Sequence, residues 1–339
     1  MLKLDEYLSK NQALQKAFWE KLITQRGPAL FKDTLFLSFL GARICYASTK
    51  PLALFAEERF RDPEKLLAFL MRLKTSGHTS IFAHSPLVVS VKELTEEEKA
   101  SLACAFYKAW WTPEGEALCL NLRHLAEVFE KEAFQGVLSA SLEASKAWKE
   151  FRCLRFAFGS NGEPELIEEG LLGDWAERAF EALPGLFDQM EVIVIDVAPD
   201  STTPFGWLAV LVEGFSRLFS HQFVRHTWLN FNQRSHRYTE VDKFVLPPSF
   251  SISSKAKELF EEVIEKGLSA YNYLIKELGI KKEDARFVTP QGASTTLIAT
   301  GPYFVWEDFV CKRRHPKAQW EIRRLAKAVE QALNRLNKA

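Results

Sequence analysis

The densest group of polar side chains lies at residues 221–238, which read HQFVRHTWLNFNQRSHRY. Three histidines, three arginines, two asparagines and two glutamines fall within this stretch. Arginine binds phosphate through a planar pair of N–H donors and stays charged, while amides and hydroxyls add short neutral donors. A charged run is more often a solvated helix end. Here, however, uncharged donors alternate with Trp228, Phe231 and Tyr238, which favours a binding site for phosphate and carbonyl oxygens.

Overall composition argues against several classes of protein. Lys+Arg and Asp+Glu number 44 each, so a general nucleic-acid or membrane-surface binder is not expected. The 339 residues, 47% hydrophobic, suit a folded protein of two domains. No long uncharged run and no apolar signal core occur, which predicts a cytoplasmic protein without a membrane segment. The five cysteines are scattered without a C-x-x-C pair, so neither a disulfide framework nor a metal site is expected.

Hydrophobic spacing predicts most of the elements that must position these groups. Residues three or four apart predict helices at 5–24, 63–77, about 205–226, about 254–279 and about 316–336. In the fourth helix the core-facing residues would be Leu259, Val263, Leu268, Tyr271, Leu274, Ile275 and Leu278. Thr95 and Glu98 form a capping box that opens a further helix. Strands are predicted at 87–91 and 191–197, with helix, loop and a turn at 161–164 filling the chain up to Gln189.

The polar run resembles the signature of the flavin-dependent thymidylate synthases, R-H-R-x-x-S, four residues, then S-x-R. Here it stands as residues 225–230 (RHTWLN), 231–234 and 235–237 (SHR). Flanking segments agree in order and are similar to further family motifs: 42–46 (ARICY), 77–84 (GHTSIFAH), 214–222 (GFSRLFSHQ), 245–248 (VLPP), Ala285-Arg286 to Pro290, and Arg313 followed by 318–323 (AQWEIR). The resemblance covers about 40–95 and 205–335.

The resemblance implies an α+β fold, with antiparallel sheet and long packed helices. It implies a methyltransferase-type enzyme that converts dUMP to dTMP, with carbon from methylenetetrahydrofolate, hydride from reduced FAD, and NADPH to reduce the flavin again. Such enzymes need no cysteine nucleophile. Family sites are assembled between subunits of a homotetramer, which implies a homo-oligomer here. It would be either a tetramer or a dimer in which each chain contains two fused copies of the family unit.

The matched positions carry implied roles. Arg313 and Ser235 would be catalytic, Arg313 by stabilising an ionised uracil. The dUMP site would contain Gln222, Arg225, Gln233, Ser235, His236, Arg237, Arg286 and Arg313. The FAD site would contain His78, Ser80, Asn121, Arg123, Arg225, His226 and Asn230.

The chain departs from the family pattern at flavin-side positions. The third residue of the signature is Thr227 instead of arginine, and its first serine is replaced by Asn230. In the segment 77–84, which we call the GH loop, Ala83 occupies a position where the family has an acidic or polar residue. Residues 302–304 (PYF) occupy the place of the family's N-x-R. Residues 117–125 (ALCLNLRHL) resemble that missing strand–N-x-R–helix element. We therefore hypothesise a fused, diverged duplication, with a front half at 1–190 that carries the GH loop and flavin side, and a rear half at 191–339 that carries the nucleotide signature.

Two other functions stay open from the sequence. A related protein could bind a pyrimidine nucleotide without FAD, either as a folate-dependent hydroxymethylase or without catalysis. An RNA-binding protein or scaffold could use the basic stretch at 312–317, although the zero net charge and the absence of a nucleic-acid-binding motif argue against it.

Overall fold

The computed structural model describes residues 9–10, 12–18, 20, 34–106, 108–112, 114–144, 147–176, 185–197 and 206–336. Before residue 177, the helices are α1 (Leu35–Tyr46), α2 (Glu58–Arg61), α3 (Pro63–Thr75), α4 (Glu96–Ala105), α5 (Leu122–Val128), α6 (Lys131–Ala144) and α7 (Leu172–Ala176). The strands in the same part are β1 (Pro86–Ser90), β2 (Trp110–Trp111), β3 (Ala117–Asn121), β4 (Arg152–Phe158) and β5 (Pro164–Leu171).

The remaining described chain carries the elements around the polar signature. Its strands are β6 (Glu191–Asp196), β7 (Trp207–Ser216), β8 (Asn230–Gln233) and β9 (Ser294–Pro302). Its helices are α8 (Arg217–Phe223), α9 (Pro248–Ser251), α10 (Ser254–Lys276), α11 (Lys282–Ala285), α12 (Tyr303–Arg313) and α13 (Trp320–Leu336). The mixture of helices and antiparallel sheet confirms the α+β expectation.

A six-stranded antiparallel sheet in the order β5-β4-β6-β7-β9-β8 forms the centre of the fold. Successive side chains of a strand point to opposite faces. Val210 and Leu297 therefore pack with α12 and α13, while Leu211 and Ile298 pack with the N-terminal helices. Both faces of β7 and β9 are consequently covered, and β8 is left as an edge strand beside the signature loop.

A second, three-stranded sheet has the order β1-β3-β2. It resembles the arrangement of β7-β9-β8, because in each case the last of the three strands along the chain lies between the other two and is followed at once by a helix, α5 or α12. The two differ between the second and third strands, where only β9 is preceded by the helices α9, α10 and α11. All four pairings involved are antiparallel. The six-stranded sheet also takes in β4 and β5, which precede residue 190. The division of the chain into halves at that residue stays a prediction.

The prediction of one long helix from about Phe205 to His226 is wrong. Residues 207–216 form strand β7, and the helix α8 covers only Arg217–Phe223. Every residue of β7 is buried, and a strand covered on both faces reads as a continuous apolar run in which helical spacing can be found by chance. The serine that ends the strand, Ser216, caps α8 by accepting a hydrogen bond from Phe219 N at 3.1 Å.

Two further expectations need correction. The region expected to be helix and loop before Gln189 contains the β4–β5 hairpin, in which exposed and half-buried residues of β5 alternate after the buried Pro164. On α10, Tyr271 is buried, but Leu259 and Val263 are exposed at 61% and 48%, and Leu278, just after the helix, is exposed at 55%. The helix packs on the rest of the chain along a narrower stripe than its apolar residues suggest.

Several local predictions are confirmed. Asp62 caps α3, Thr95 and Glu98 make the capping box of α4, and the 161–164 turn joins β4 to β5. The element at 117–125 is a strand followed by a helix. The predicted helix at 5–24 is helical at residues 9–10, 12–18 and 20, and the rest of it lies outside the described residues. Within the described chain, no helix combines the length and the apolar character needed to cross a membrane.

Gly214 offers a test of the sheet. It sits in the β7 bulge with φ +74°, and a Cβ there would lie 2.0 Å from the carbonyl oxygen of Gln189. Gly214→Ala should lower the free energy of unfolding by at least about 2 kcal/mol, because strain and overlap add. Gly136→Ala, in an exposed and open position of α6, should leave it unchanged or raise it by up to about 1 kcal/mol. Equal effects in urea unfolding would contradict this.

Candidate functional site

The signature is divided by the edge strand β8. Arg225 and His226 lie in the turn that precedes the strand, and Ser235 to Arg237 lie in the turn that follows it. A strand advances by about 3.4 Å per residue, so four residues separate the two turns by roughly 13 Å. We refer to Gln222, Arg225, His226 and Arg313 as the Arg313 group, and to Ser235, His236, Arg237 and Arg286 as the Ser235 group.

In the Arg313 group, a side chain of α12 meets the turn after α8. Arg313 Nε donates to His226 Nε2 at 2.7 Å, which requires a neutral imidazole with an unprotonated Nε2. Burial, then the nearby Arg313 and Lys312, lower the pKa of His226 to about 4, which agrees with that geometry. Gln222 is half-buried and Arg225 is exposed on the same helix end. The guanidinium of Arg313 is thus oriented by a neutral histidine.

In the Ser235 group, the backbone is fixed from the N-terminal part of the chain. Ser235 N donates to the carbonyl of Cys45 at 3.0 Å, and Arg237 N donates to Ser235 Oγ at 3.3 Å. The exposed guanidinium of Arg237 pairs with Glu283 at 2.8 Å. The adjacent ring of Tyr238 makes an edge contact with Tyr46 at 5.0 Å between centroids. This turn therefore presents a hydroxyl and a cation at the surface.

Three arginines surround His236. The imidazole is buried, and its pKa is lowered to about 4 by burial and then by Arg217, with Arg234 and Arg286 contributing. Burial and the nearby Arg286 lower the pKa of Arg217 as well. Among the described residues, no carboxylate lies within ion-pairing distance of the Arg217 guanidinium. A cluster of cations without a full set of counter-ions is suited to an anion.

Arg217 was missed among the predicted site residues. It follows the serine that caps α8, in the matched segment 214–222. Its position inside that segment was the available signal. Gln233, by contrast, was expected in the site, but its Nε2 donates to Thr295 Oγ1 of the neighbouring strand at 3.0 Å.

The residues predicted for a flavin gather on the N-terminal side of β8. His78 and Ser80 are exposed at the start of the turn 79–84. Asn230 Nδ2 donates to Ala83 O at 2.9 Å, which ties the signature to that turn. Arg123 lies on α5 and donates to Glu127 at 2.6 Å, and Thr79 contacts the same carboxylate.

Asn121 has a structural function that the resemblance did not imply. Its Oδ1 accepts from Arg123 N at 3.1 Å, so the buried side chain caps α5. Lys108 is a further residue that the sequence reasoning missed. Its Nζ donates to Leu229 O at 2.6 Å and lies 3.2 Å from Asn230 Oδ1. No motif marks this lysine, because it lies between the two stretches, about 40–95 and 205–335, that resemble the family.

The A-Q-x-E segment at residues 318–321 forms part of a buried carboxylate network. Glu321 accepts from Ser216 N at 2.7 Å and from Ser216 Oγ at 2.6 Å, and Gln319 Nε2 donates to it at 2.7 Å. Burial raises the pKa of Glu321, while these hydrogen bonds favour its charged form. The network joins the start of α13 to the start of α8, the helix that contains Gln222.

His84, the second histidine of the GH loop, joins the two parts of the chain. Its Nε2 lies 2.8 Å from Asn232 Oδ1 and its Nδ1 lies 3.0 Å from Thr300 Oγ1. Because Asn232 Oδ1 accepts, we assign the proton to Nε2, and Nδ1 accepts from the threonine hydroxyl. Gly41 allows this packing, since a Cβ there would lie 2.5 Å from the ring. Burial lowers the pKa of His84 to about 4.

Comparison with known proteins finds relatives of the region that contains the signature. Residues 198–336 match the family model described as thymidylate synthase complementing protein. The chain is 37% identical over 119 residues to a flavin-dependent thymidylate synthase of Sulfurisphaera tokodaii, which covers 34% of this chain and 45% of the relative. It is 30% identical over 161 residues to that of Pyrococcus furiosus, covering 45% and 66%. The chain thus spans about half the length of many curated relatives it matches.

The neutral His84 predicts a pH dependence of stability. Its folded pKa is below the unfolded value of 6.5, so protons favour unfolding, and stability is lost as pH falls from 6.5 toward 4. Over the whole titration, this histidine changes the free energy of unfolding by about 3 kcal/mol. His84→Gln should reduce the slope of unfolding free energy against pH in this window by up to about 1.4 kcal/mol per pH unit. The exposed His315→Gln serves as control. A slope unchanged in His84→Gln would refute the assignment.

Proposed function

The chain belongs to the flavin-dependent thymidylate synthase family through residues 198–336, and on that premise we propose that it methylates dUMP to dTMP reductively. The single observation that carries the proposal is the set of arginines around the Ser235 group, which coincides with the family match. Methylenetetrahydrofolate as carbon donor, NADPH as reductant of the flavin and a cytoplasmic location belong to the same proposal.

The phosphate of the nucleotide would bind at the Ser235 group. Ser235 Oγ and the exposed Arg237 face solvent at one turn, and Arg217 and Arg286 raise the local positive potential behind it. The neutral His236 adds a buried hydrogen-bonding ring without further charge. Arginine and hydroxyl donors on one turn are the combination that recognises a phosphate monoester.

The pyrimidine would be polarised by the Arg313 group. Arg313 is held by His226 through a single N–H, which leaves its remaining donors for a ligand. A guanidinium next to a carbonyl or a deprotonated ring nitrogen stabilises negative charge as it develops, and that interaction strengthens toward the transition state. Gln222 and Arg225, at the adjacent helix end, would orient the ring.

The separation of the two groups supports a homo-oligomer. Because β8 places them roughly 13 Å apart at opposite ends of one strand, they would serve one ligand more readily if a second copy supplied one of them. Exposed apolar residues on α10 and at Phe287, which is 83% exposed, leave surface for such a contact. A mass of 38.8 kDa by light scattering, that of one chain, would contradict this.

The residues on the N-terminal side of β8 fit a flavin nucleotide. Trp228 is 56% exposed and lies with Phe304 beside Trp110, which gives flat apolar surface for a ring system. Lys108 and Arg123 supply positive charge next to it, and His78 and Ser80 add exposed polar groups. When bound and reduced by NADPH, the flavin would supply the hydride of the reductive methylation, and Asn230 and the turn 79–84 would hold it.

The proposal is tested by anaerobic turnover. Purified protein should be yellow or should take up added FAD, and it should release tritium from labelled dUMP when methylenetetrahydrofolate, FAD and NADPH are present. Omission of methylenetetrahydrofolate or NADPH should abolish release, because the carbon and the reducing electrons come from these two molecules. Omission of FAD should abolish release only from protein purified without the flavin. A colourless protein that refuses FAD but binds dUMP would instead indicate nucleotide binding without flavin chemistry. Binding of neither ligand would refute the proposal.

Arg237→Ala tests the phosphate assignment. Loss of the guanidinium should weaken dUMP binding by more than about tenfold, because a charge-assisted contact to phosphate is removed. Arg335→Ala is the matched control, since Arg335 is also exposed and paired with a glutamate but lies on α13. The measurement is a calorimetric titration with dUMP. Equal affinity of wild type and Arg237→Ala would exclude this position from the phosphate site.

A further inference from the structure

We propose that Lys108 binds a phosphate group of the nucleotide ligand held between β2 and β8. The inference rests on the proposed function, and it adds a binding residue from a segment outside the matched family region. Lys108 precedes β2, and its ammonium reaches the signature at Leu229 and Asn230. It therefore lies where the segment before β2 meets the start of β8, so that residues from both could contact one ligand.

The backbone at Lys108 is held in an unfavourable conformation. Its φ is 52°, and among the described residues it is the one non-glycine with positive φ. A side chain other than glycine in the left-handed region is retained where the surrounding structure fixes it, and such positions cluster at ligand sites. Neither Asn nor Gly, which tolerate this conformation, occupies the position. The ammonium group accounts for the choice of lysine.

The charge of Lys108 is not neutralised within the described chain. Two of its three N–H groups are directed at the Leu229 and Asn230 oxygens, and no described carboxylate lies within ion-pairing distance. The charged or titratable groups nearby are Arg123 on α5 and His84 of the turn 79–84. Burial and then Arg123 lower the pKa of Lys108 to about 8. A bound anion would reverse this effect.

The surroundings select a nucleotide over a bare ion. Trp110, two residues after Lys108, makes ring contacts with Trp228 at 6.4 Å and with Phe304 at 6.1 Å. A cation beside exposed aromatic surface binds a molecule that carries both phosphate and a planar ring. The third residue of the family signature is an arginine, and Thr227 stands at that position in this chain, two residues before Leu229. Lys108 supplies positive charge there from a different part of the chain.

The experiment compares wild type, Lys108→Met, Lys108→Arg and the control Lys92→Gln. Lys92 is exposed and paired with Glu116, so its charge has no connection with the site. Calorimetric or fluorescence titrations use FAD against riboflavin, and dUMP against deoxyuridine. dUMP differs from deoxyuridine by its phosphate group alone, and FAD differs from riboflavin by its adenosine diphosphate moiety. Thermal unfolding of every variant checks the fold.

Lys108→Met should weaken binding of one phosphate-bearing ligand by at least about tenfold and leave the affinity for its phosphate-free counterpart unchanged. Lys108→Arg should restore the affinity for the phosphate-bearing ligand. Loss with FAD assigns the contact to the cofactor, and loss with dUMP assigns it to the substrate. Unchanged affinities for both, or an equal loss with the phosphate-free compounds, would overturn the inference.

Wild-type protein provides a test that no misfolded variant can obscure. Affinity for the phosphate-bearing ligand should fall as pH rises from 7 to 9, because the ammonium loses its proton, whereas Lys108→Arg should show no such fall. A flat wild-type profile contradicts the inference. Inorganic pyrophosphate is titrated as well: if it binds wild type in a Lys108-dependent way while FAD and dUMP do not bind, the proposed function fails and the anion site stands.

Discussion

The hydrogen bonds of His84 hold together the two parts of the chain that form the candidate site. A buried, neutral imidazole bridges Asn232 on β8 and Thr300 on β9, and Gly41 on α1 leaves room for its ring. A buried polar group that loses its partner costs the desolvation of that group, so this contact has few tolerated alternatives. With β8 fixed in this way, the turns at its two ends receive defined positions.

The sequence allowed the polar signature, the capping signals and the terminal helices to be predicted, because each depends on local chemistry. The strand β7 was misread as a helix because burial on both faces removes the period of two that identifies a strand. The exposed residues of α10 were misread as core because apolar spacing shows a helical face but not what covers it. Such errors arise where tertiary packing decides.

The sequence proposed the types of the candidate site residues, which stay predictions, but it did not indicate how the fold groups them. The spacing of Arg225, Ser235 and Arg313 gives no indication that an edge strand divides them or that His226 orients Arg313. Arg217 and Lys108 reach the site through folding rather than through the motif that was read. We retain the duplication as a proposal, supported by the similar order of the sheet β1-β3-β2 and of the strands β7-β9-β8 within the six-stranded sheet.

The two similar sets of three strands have an evolutionary consequence if both were encoded by copies of one ancestral gene. In an assembly of identical subunits, every substitution appears at all equivalent positions, so a residue that serves two places cannot change for one of them. Fusion removes this coupling. The copy that ends in Asn121 could then keep a helix cap and specialise in its own contacts, while the copy that ends in Pro302 lost that asparagine and retained the arginine-rich turn.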